Sequence, residues 1–239
     1  MQPHEEAKRL RIHQALARQI GIAIVSGEHP PGCGFGAEIE EAQALGVSRT
    51  AYREAMRILT AKGLLESRPK AGTRVTLRSR WNVLDPDILA WMFSSDHPDE
   101  RFVRDLFELR GLIEPAAAAW AATRRSPEQL EKMRAALEAM ARYGLSTESG
   151  READQRFHGA ILEASDNEPL ASLSSSVGAA LTWTTRFKQM KFAHPRDPIG
   201  EHEAVFAAIA ARDADGARSA MTELLRLALD DMGLSSIRS

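Results

Sequence analysis

Two groups of side chains in this 239-residue sequence have types and spacing suited to chemistry. Asp154 and His158 are four positions apart, so on a helix they share a face and converge on one point. His202 follows Glu201 in a stretch that also carries Val205, Phe206 and Ile209. One carboxylate and two imidazoles make a reasonable ligand set for a divalent ion such as Zn²⁺, Ni²⁺ or Mn²⁺. The same spacing also fits histidines that are simply satisfied in a core or on a surface. An ion with an open position could activate water, as in a metal-dependent hydrolase, yet no general base is marked by the sequence and an enzyme is not expected. The second group is Arg49, Arg53 and Arg57, which step along one helical face at i, i+4, i+8. Their guanidinium groups suit guanine edges or phosphate oxygens, and the short Thr50 lets a helix approach a groove closely.

The arginines need a helix to hold them. Ser48 is a good N-cap and Gly46 supplies the turn before it, so a helix is predicted from there. Tyr52, Ala55, Met56, Ile58 and Leu59 form its apolar sector, and Gly63 stands where a glycine would end it. Leu64–Arg68 and Thr73–Leu77 read as two strands joined by the basic Pro69-Lys70-Ala71-Gly72 tip. Ahead of them, helices are predicted over 5–26 and 38–45, separated by Gly27, Pro30, Pro31, Gly32 and Gly34. Three helices and a two-stranded wing within residues 1–80 describe a winged helix-turn-helix DNA-binding domain.

Charge supports that assignment. Net charge is −2, but residues 1–80 carry +5 and residues 81–239 carry −7; within 47–80 nine Lys and Arg face two Glu. Positive charge is concentrated where phosphates would be met. The single cysteine, Cys33, fits a reducing compartment, and no segment approaches the roughly 18 apolar residues of a membrane helix, so a soluble cytoplasmic protein is expected.

Residues 81–97 carry Trp81, Val83, Leu84, Ile88, Leu89, Trp91, Met92 and Phe93, too bulky for a flexible connector; a packed linker with a short helix capped near Asp85 is predicted. From 98 to 239 only helical patterns occur, near 98–122, 127–142, 150–164, 169–191, 199–211 and 215–232. The fold class is mainly α, with a C-terminal all-α helical bundle.

Val47–Ala55 with Leu59, Gly63-Leu64 and Gly72-Thr73 resembles the winged-helix signature of the GntR family of bacterial transcription regulators. The resemblance implies that Ser48, Arg49, Thr50, Arg53, Lys70 and Gly72 fall on DNA-contacting positions, and that the partner is double-stranded operator DNA bound by a homodimer. Where the family's second helix usually opens Leu-Pro-Ser-Glu-Arg, this chain reads Phe35-Gly36-Ala37-Glu38-Ile39, so a usual DNA-contacting arginine is Ile39. Glu108–Glu114, Asp154–His158 and Glu201-His202 resemble the FCD effector domain of the family's FadR subgroup. In metal-binding FCD domains the positions of Asp154, His158 and His202 ligate the ion; the last helix usually adds a histidine where this chain has Leu224.

The stretches Trp81–Trp91 and Leu112–Ala116 are more particular and resemble sugar-acid-responsive repressors of that subgroup. The implied effector is a small carboxylate such as an aldonate, chelating the ion. Arg110 lies within an apolar helical stretch where its charge needs a partner, either the effector's carboxylate or Glu114 one turn on. Trp183, Thr184 and Arg186 are candidates to line the same pocket. A regulator that senses the metal alone, with no organic effector, is the alternative reading.

Overall fold

The structure is a computed structural model that describes residues 3–68, 72–94, 99–191 and 196–234, with side chains described from residue 12 onward and not at 189–191. The chain divides into two compact units, residues 1–97 and 98–239.

The first unit contains α1 (Pro3–Val25), β1 (Gly34–Phe35), α2 (Glu38–Ala44), α3 (Arg49–Ala61), β2 (Leu65–Arg68), β3 (Gly72–Val75), a 3-10 turn (Arg78–Arg80) and α4 (Pro86–Met92). The wing has three strands in the order β1-β3-β2, all antiparallel, with Gly34 opposite Arg74 and Glu66 opposite Arg74 on the other side. The sequence reading of a two-stranded wing missed β1. Two residues are too few to show alternation, and the flanking Pro and Gly residues read as a loop. Its pairing is extended by Val75 N–H donating to the Cys33 carbonyl and Gly32 N–H to the Val75 carbonyl, both at 2.9 Å.

Helix α3 begins where Ser48 Oγ accepts from Ala51 N–H at 3.1 Å. It ends in a Schellman motif: Gly63 N–H donates to the Thr60 carbonyl and Leu64 N–H to the Leu59 carbonyl, each at 3.0 Å. Gly63 has φ +79°, and a Cβ there would lie 2.2 Å from the Arg80 carbonyl oxygen, so the position accepts only glycine. Tyr52, Ala55 and Leu59 are buried in one core with α1 residues Leu16, Ala17, Ile20 and Ile24. Trp81, Ile88 and Trp91 belong to that same core. Trp91 packs onto Gly21 so closely that a Cβ there would meet its ring at 2.4 Å. Asp85 caps α4 through the N–H groups of Asp87 and Ile88, while Lys62 Nζ, at the end of α3, pairs with Asp85 at 2.7 Å and Asp87 at 2.8 Å. The connector is thereby fastened to the end of the helix that carries the arginines.

The second unit is helical throughout its described residues: α5 (Glu100–Arg124), α6 (Pro127–Tyr143), α7 (Glu148–Ala164), α8 (Glu168–Ala171), α9 (Ser174–Lys191), α10 (Ile199–Ala210) and α11 (Ala214–Asp230). The stretch predicted as one helix over 169–191 is two, because α8 ends at Ala171 and α9 starts at Ser174. Helix α5 packs on α7 and α11, α7 on α6 and α9, and α10 on α11. The shared core includes Ala117, Ala121, Phe157, Ile161, Leu181, Val205, Met221 and Leu225. Small alanines on α5 allow its neighbours to approach closely. That brings polar residues of α5, α7 and α10 together at one place.

Candidate DNA-reading face and ligand cavity

On the first unit, the face of α3 opposite its core is cationic and open. Arg49, Arg53 and Arg57 are exposed, as are Ser48 and Thr50 at the helix start. Arg49 Nε reaches Glu38 of α2 at 3.2 Å and Arg57 reaches Glu54 at 3.4 Å, with the arginine side chains 64% and 71% exposed. Pairs this exposed are worth about 0–1 kcal/mol, so a phosphate or base edge can replace the carboxylate at small cost. Gly72 is exposed with φ +74°, while Lys70 lies outside the described residues. Ile39 is 53% exposed on α2. Arg74 and Arg80 are bound instead to Glu66, at 2.7 and 2.6 Å, and Glu66 is held down to about pH 2 by those hydrogen bonds.

On the second unit, Asp154, His158 and His202 come together, each buried, with ligand atoms all within 4.8 Å of one another. His202 Nε2 lies 3.1 Å and His158 Nε2 3.5 Å from Asp154 Oδ1. The outward nitrogens are also held. His202 Nδ1 is 2.7 Å from the Pro198 carbonyl, and His158 Nδ1 is 2.5 Å from Glu114 Oε2. A carbonyl and a carboxylate can only accept, so both Nδ1 atoms carry hydrogen. In the neutral rings the two Nε2 lone pairs then face a carboxylate oxygen, and three acceptors converge. Such a cluster needs a positive charge at its centre, a proton or a cation. Burial disfavours the charged form of His202, but its bond to Asp154 more than reverses this and its pKa is raised. Burial likewise opposes charge on Asp154, yet the bond to His202 and the nearby His158 and Arg110 keep its carboxyl below the ordinary range. The donor set therefore fits a divalent ion, with outer partners fixing each ring as metal-binding histidines require.

The cluster opens on a cavity of about 410 Å³. That is the size of a small-molecule site. Arg110, Leu181, Thr184, Thr185, Lys188, Arg196, Asp197 and Leu224 are among its lining. Leu224 is buried and supplies no ligand. Arg110 lines the cavity and also donates from Nε to Glu114 Oε1 at 2.5 Å, so both partners foreseen for it remain compatible: a guanidinium has five N–H donors and Glu114 engages one. Burial opposes the Glu114 charge, but Arg110 and His158 bring its pKa down to about 2. Trp183 and Arg186 do not belong to the lining. The cavity meets the 181, 184, 185, 188 stripe of α9, and Arg186 is turned to solvent over the Trp183 ring. Sequence reasoning missed Lys188 and Arg196, which share Asp231, Lys188 at 2.6 Å and Arg196 Nε at 3.2 Å. Lys188 was findable, one turn on from Thr184.

An exposed cationic helix in a winged helix-turn-helix unit, joined to an all-α unit, defines a transcription regulator of the winged-helix class. Comparison with known proteins gives the particular family. Residues 12–75 match the model of bacterial regulatory proteins of the gntR family, and residues 105–227 match the FCD domain. The chain belongs to the GntR family, with an FCD domain. It is 35% identical to the galactonate operon transcriptional repressor of Escherichia coli (strain K12), over 86% of this chain and 90% of that protein. It is 34% identical to the putative L-lactate dehydrogenase operon regulatory protein of the same organism, over 88% and 82%. The solved structure of Lar, which controls expression of the Listeria monocytogenes agr system, superposes with TM-score 0.66 at 19% identity over 94% of this chain and 96% of that one. The family and these relatives are transcription regulators, not enzymes. Among the described residues no helix is long and apolar enough to cross a membrane.

Proposed function

We propose that this chain is a cytoplasmic homodimeric repressor of a sugar-acid catabolic operon, released from its operator by a small hydroxy carboxylate. Ser48, Arg49, Thr50 and Arg53 read the DNA, with Lys70 and Gly72 contacting it from the wing. Asp154, His158 and His202 hold a divalent ion, which supplies a Lewis-acid centre for a chelating acid.

The observation that carries this reading is the convergence of three buried acceptors on one point at the wall of a cavity. Charge supports the ligand class. Glu114 and Asp154 outweigh Arg110 by one negative charge, which suits a divalent ion at the cluster, and Lys188 and Arg196 on the cavity wall add cations that suit an acid beside it. Arg110 is placed to pair with the carboxylate, as a guanidinium suits. The operons named for the two relatives concern galactonate and L-lactate, both 2-hydroxy acids that can chelate through carboxylate and hydroxyl oxygens. A cavity of about 410 Å³ leaves room for an organic ligand beside the ion and favours this over sensing of metal alone.

Thermal-shift titration tests the reading. D-Galactonate or a related sugar acid should raise Tm in the presence of Mn²⁺ or Zn²⁺, by an amount corresponding to about 2.7 kcal/mol at a hundred times Kd. His158→Ala and His202→Ala should abolish the shift. If no sugar acid moves Tm or releases DNA, with or without added ion, the aldonate assignment is wrong. Metal-stripped protein that responds fully to an acid would remove the ion from the scheme.

A further inference from the structure

We infer that Glu114 is a positioning residue for the ion site: it fixes the orientation and tautomer of His158 from behind and ties that ligand to Arg110 at the cavity wall. This rests on the reading above that a divalent ion binds Asp154, His158 and His202. Glu114 lies on α5, 44 residues from His158, and is 1% exposed. Its two oxygens are divided between two partners. Oε1 accepts from Arg110 Nε and Oε2 from His158 Nδ1, both at 2.5 Å.

The division has consequences for the imidazole. With Nδ1–H donated outward, the only free lone pair of His158 is on Nε2, the atom that faces Asp154. His202 reaches the same state through a backbone carbonyl, which no side-chain substitution can remove. His158 alone depends on a side chain for it. Arg110 in turn cannot shift without disturbing the carboxylate that holds His158. An acid seated on Arg110 and an ion seated on His158 therefore share one buried carboxylate, and their binding is coupled in both directions.

The experiment measures Co²⁺ affinity of the full chain by chelator competition, in the wild type and in Glu114→Gln, Arg110→Met/Glu114→Gln and Asp154→Asn. It is read beside the ¹⁵N shifts of His158. Loss of an outer carboxylate lowers metal affinity by about 10- to 100-fold in comparable sites. Glu114→Gln should weaken Co²⁺ by that amount and give His158 a mixture of tautomers; Asp154→Asn should abolish binding. The double variant leaves no unpaired buried guanidinium and provides the measurement if the single variant does not fold. Affinity within twofold of wild type in either folded variant, while Asp154→Asn loses the ion, would overturn the role of Glu114 and leave the ion site standing. A weakened affinity with an unchanged His158 tautomer would also overturn it, since the effect would then be general loosening. Wild-type protein that binds no Co²⁺, Zn²⁺ or Mn²⁺ would overturn the ion site itself.

Discussion

Arginine is used in opposite ways in the two units. On α3, Arg49 and Arg57 stand in solvent with loose carboxylate partners at 3.2 and 3.4 Å, and Arg53 is exposed between them. On α5, Arg110 is 3% exposed and bound at 2.5 Å to a carboxylate that is itself buried. The exposed pairs gain little in high dielectric and exchange readily. The buried pair was desolvated when the chain folded, and its geometry is fixed before any ligand arrives. One unit thus keeps its cations available to exchange partners, as a polyanion requires, and the other fixes its charges in advance, as the proposed small acid would require.

Removing one arginine from each unit is the strongest way to break this comparison. Arg110→Met leaves Glu114 short of its charged partner and should cost about 3–5 kcal/mol of unfolding free energy, whereas Arg57→Met should change stability by less than about 0.5 kcal/mol. Urea unfolding measures both, and equal losses would erase the distinction. Next in size is Arg53→Ala, which should weaken binding to a selected operator by about 1–3 kcal/mol without lowering Tm; an unchanged footprint would show that this face does not read DNA. Ser48→Ala removes the cap on Ala51 N–H and should destabilise the first unit by about 1 kcal/mol in the same urea assay. The smallest effect belongs to Glu38→Gln, which frees Arg49. Stability should move by less than about 0.5 kcal/mol, and DNA affinity should rise slightly at low salt and converge with wild type at high salt.

Much of α3 was legible in the sequence, because its determinants are local. The Ser48 cap, the Gly63 stop and the apolar spacing of Tyr52, Ala55 and Leu59 all act within one helix. Strand β1 was not legible: its two residues gain their conformation from β3, about forty positions away. The ligand cluster divides in the same manner. Asp154 and His158 announce themselves at i, i+4, as do Arg110 and Glu114. That Glu114 serves His158 depends on how α5 packs on α7, which no spacing records. Trp183 and Arg186 were selected by residue type, and the stripe of α9 that faces the cavity is set by tertiary packing. The proposed hydroxy-acid ligand was suggested by the Trp81–Trp91 and Leu112–Ala116 stretches, whereas the cavity that would hold it is formed only when α5, α7, α9, α10 and α11 pack together.

The most direct test of the whole account is the release of DNA by an acid. A fluorescent operator selected from random duplexes is titrated with wild-type protein and with His202→Ala, in the presence and absence of D-galactonate and Mn²⁺ or Zn²⁺. Acid and ion together should weaken wild-type binding about a hundredfold, roughly 2.7 kcal/mol of coupling, whereas His202→Ala should bind the DNA as tightly but not respond. Release that persists in His202→Ala, or DNA binding that is lost with that substitution, would contradict it.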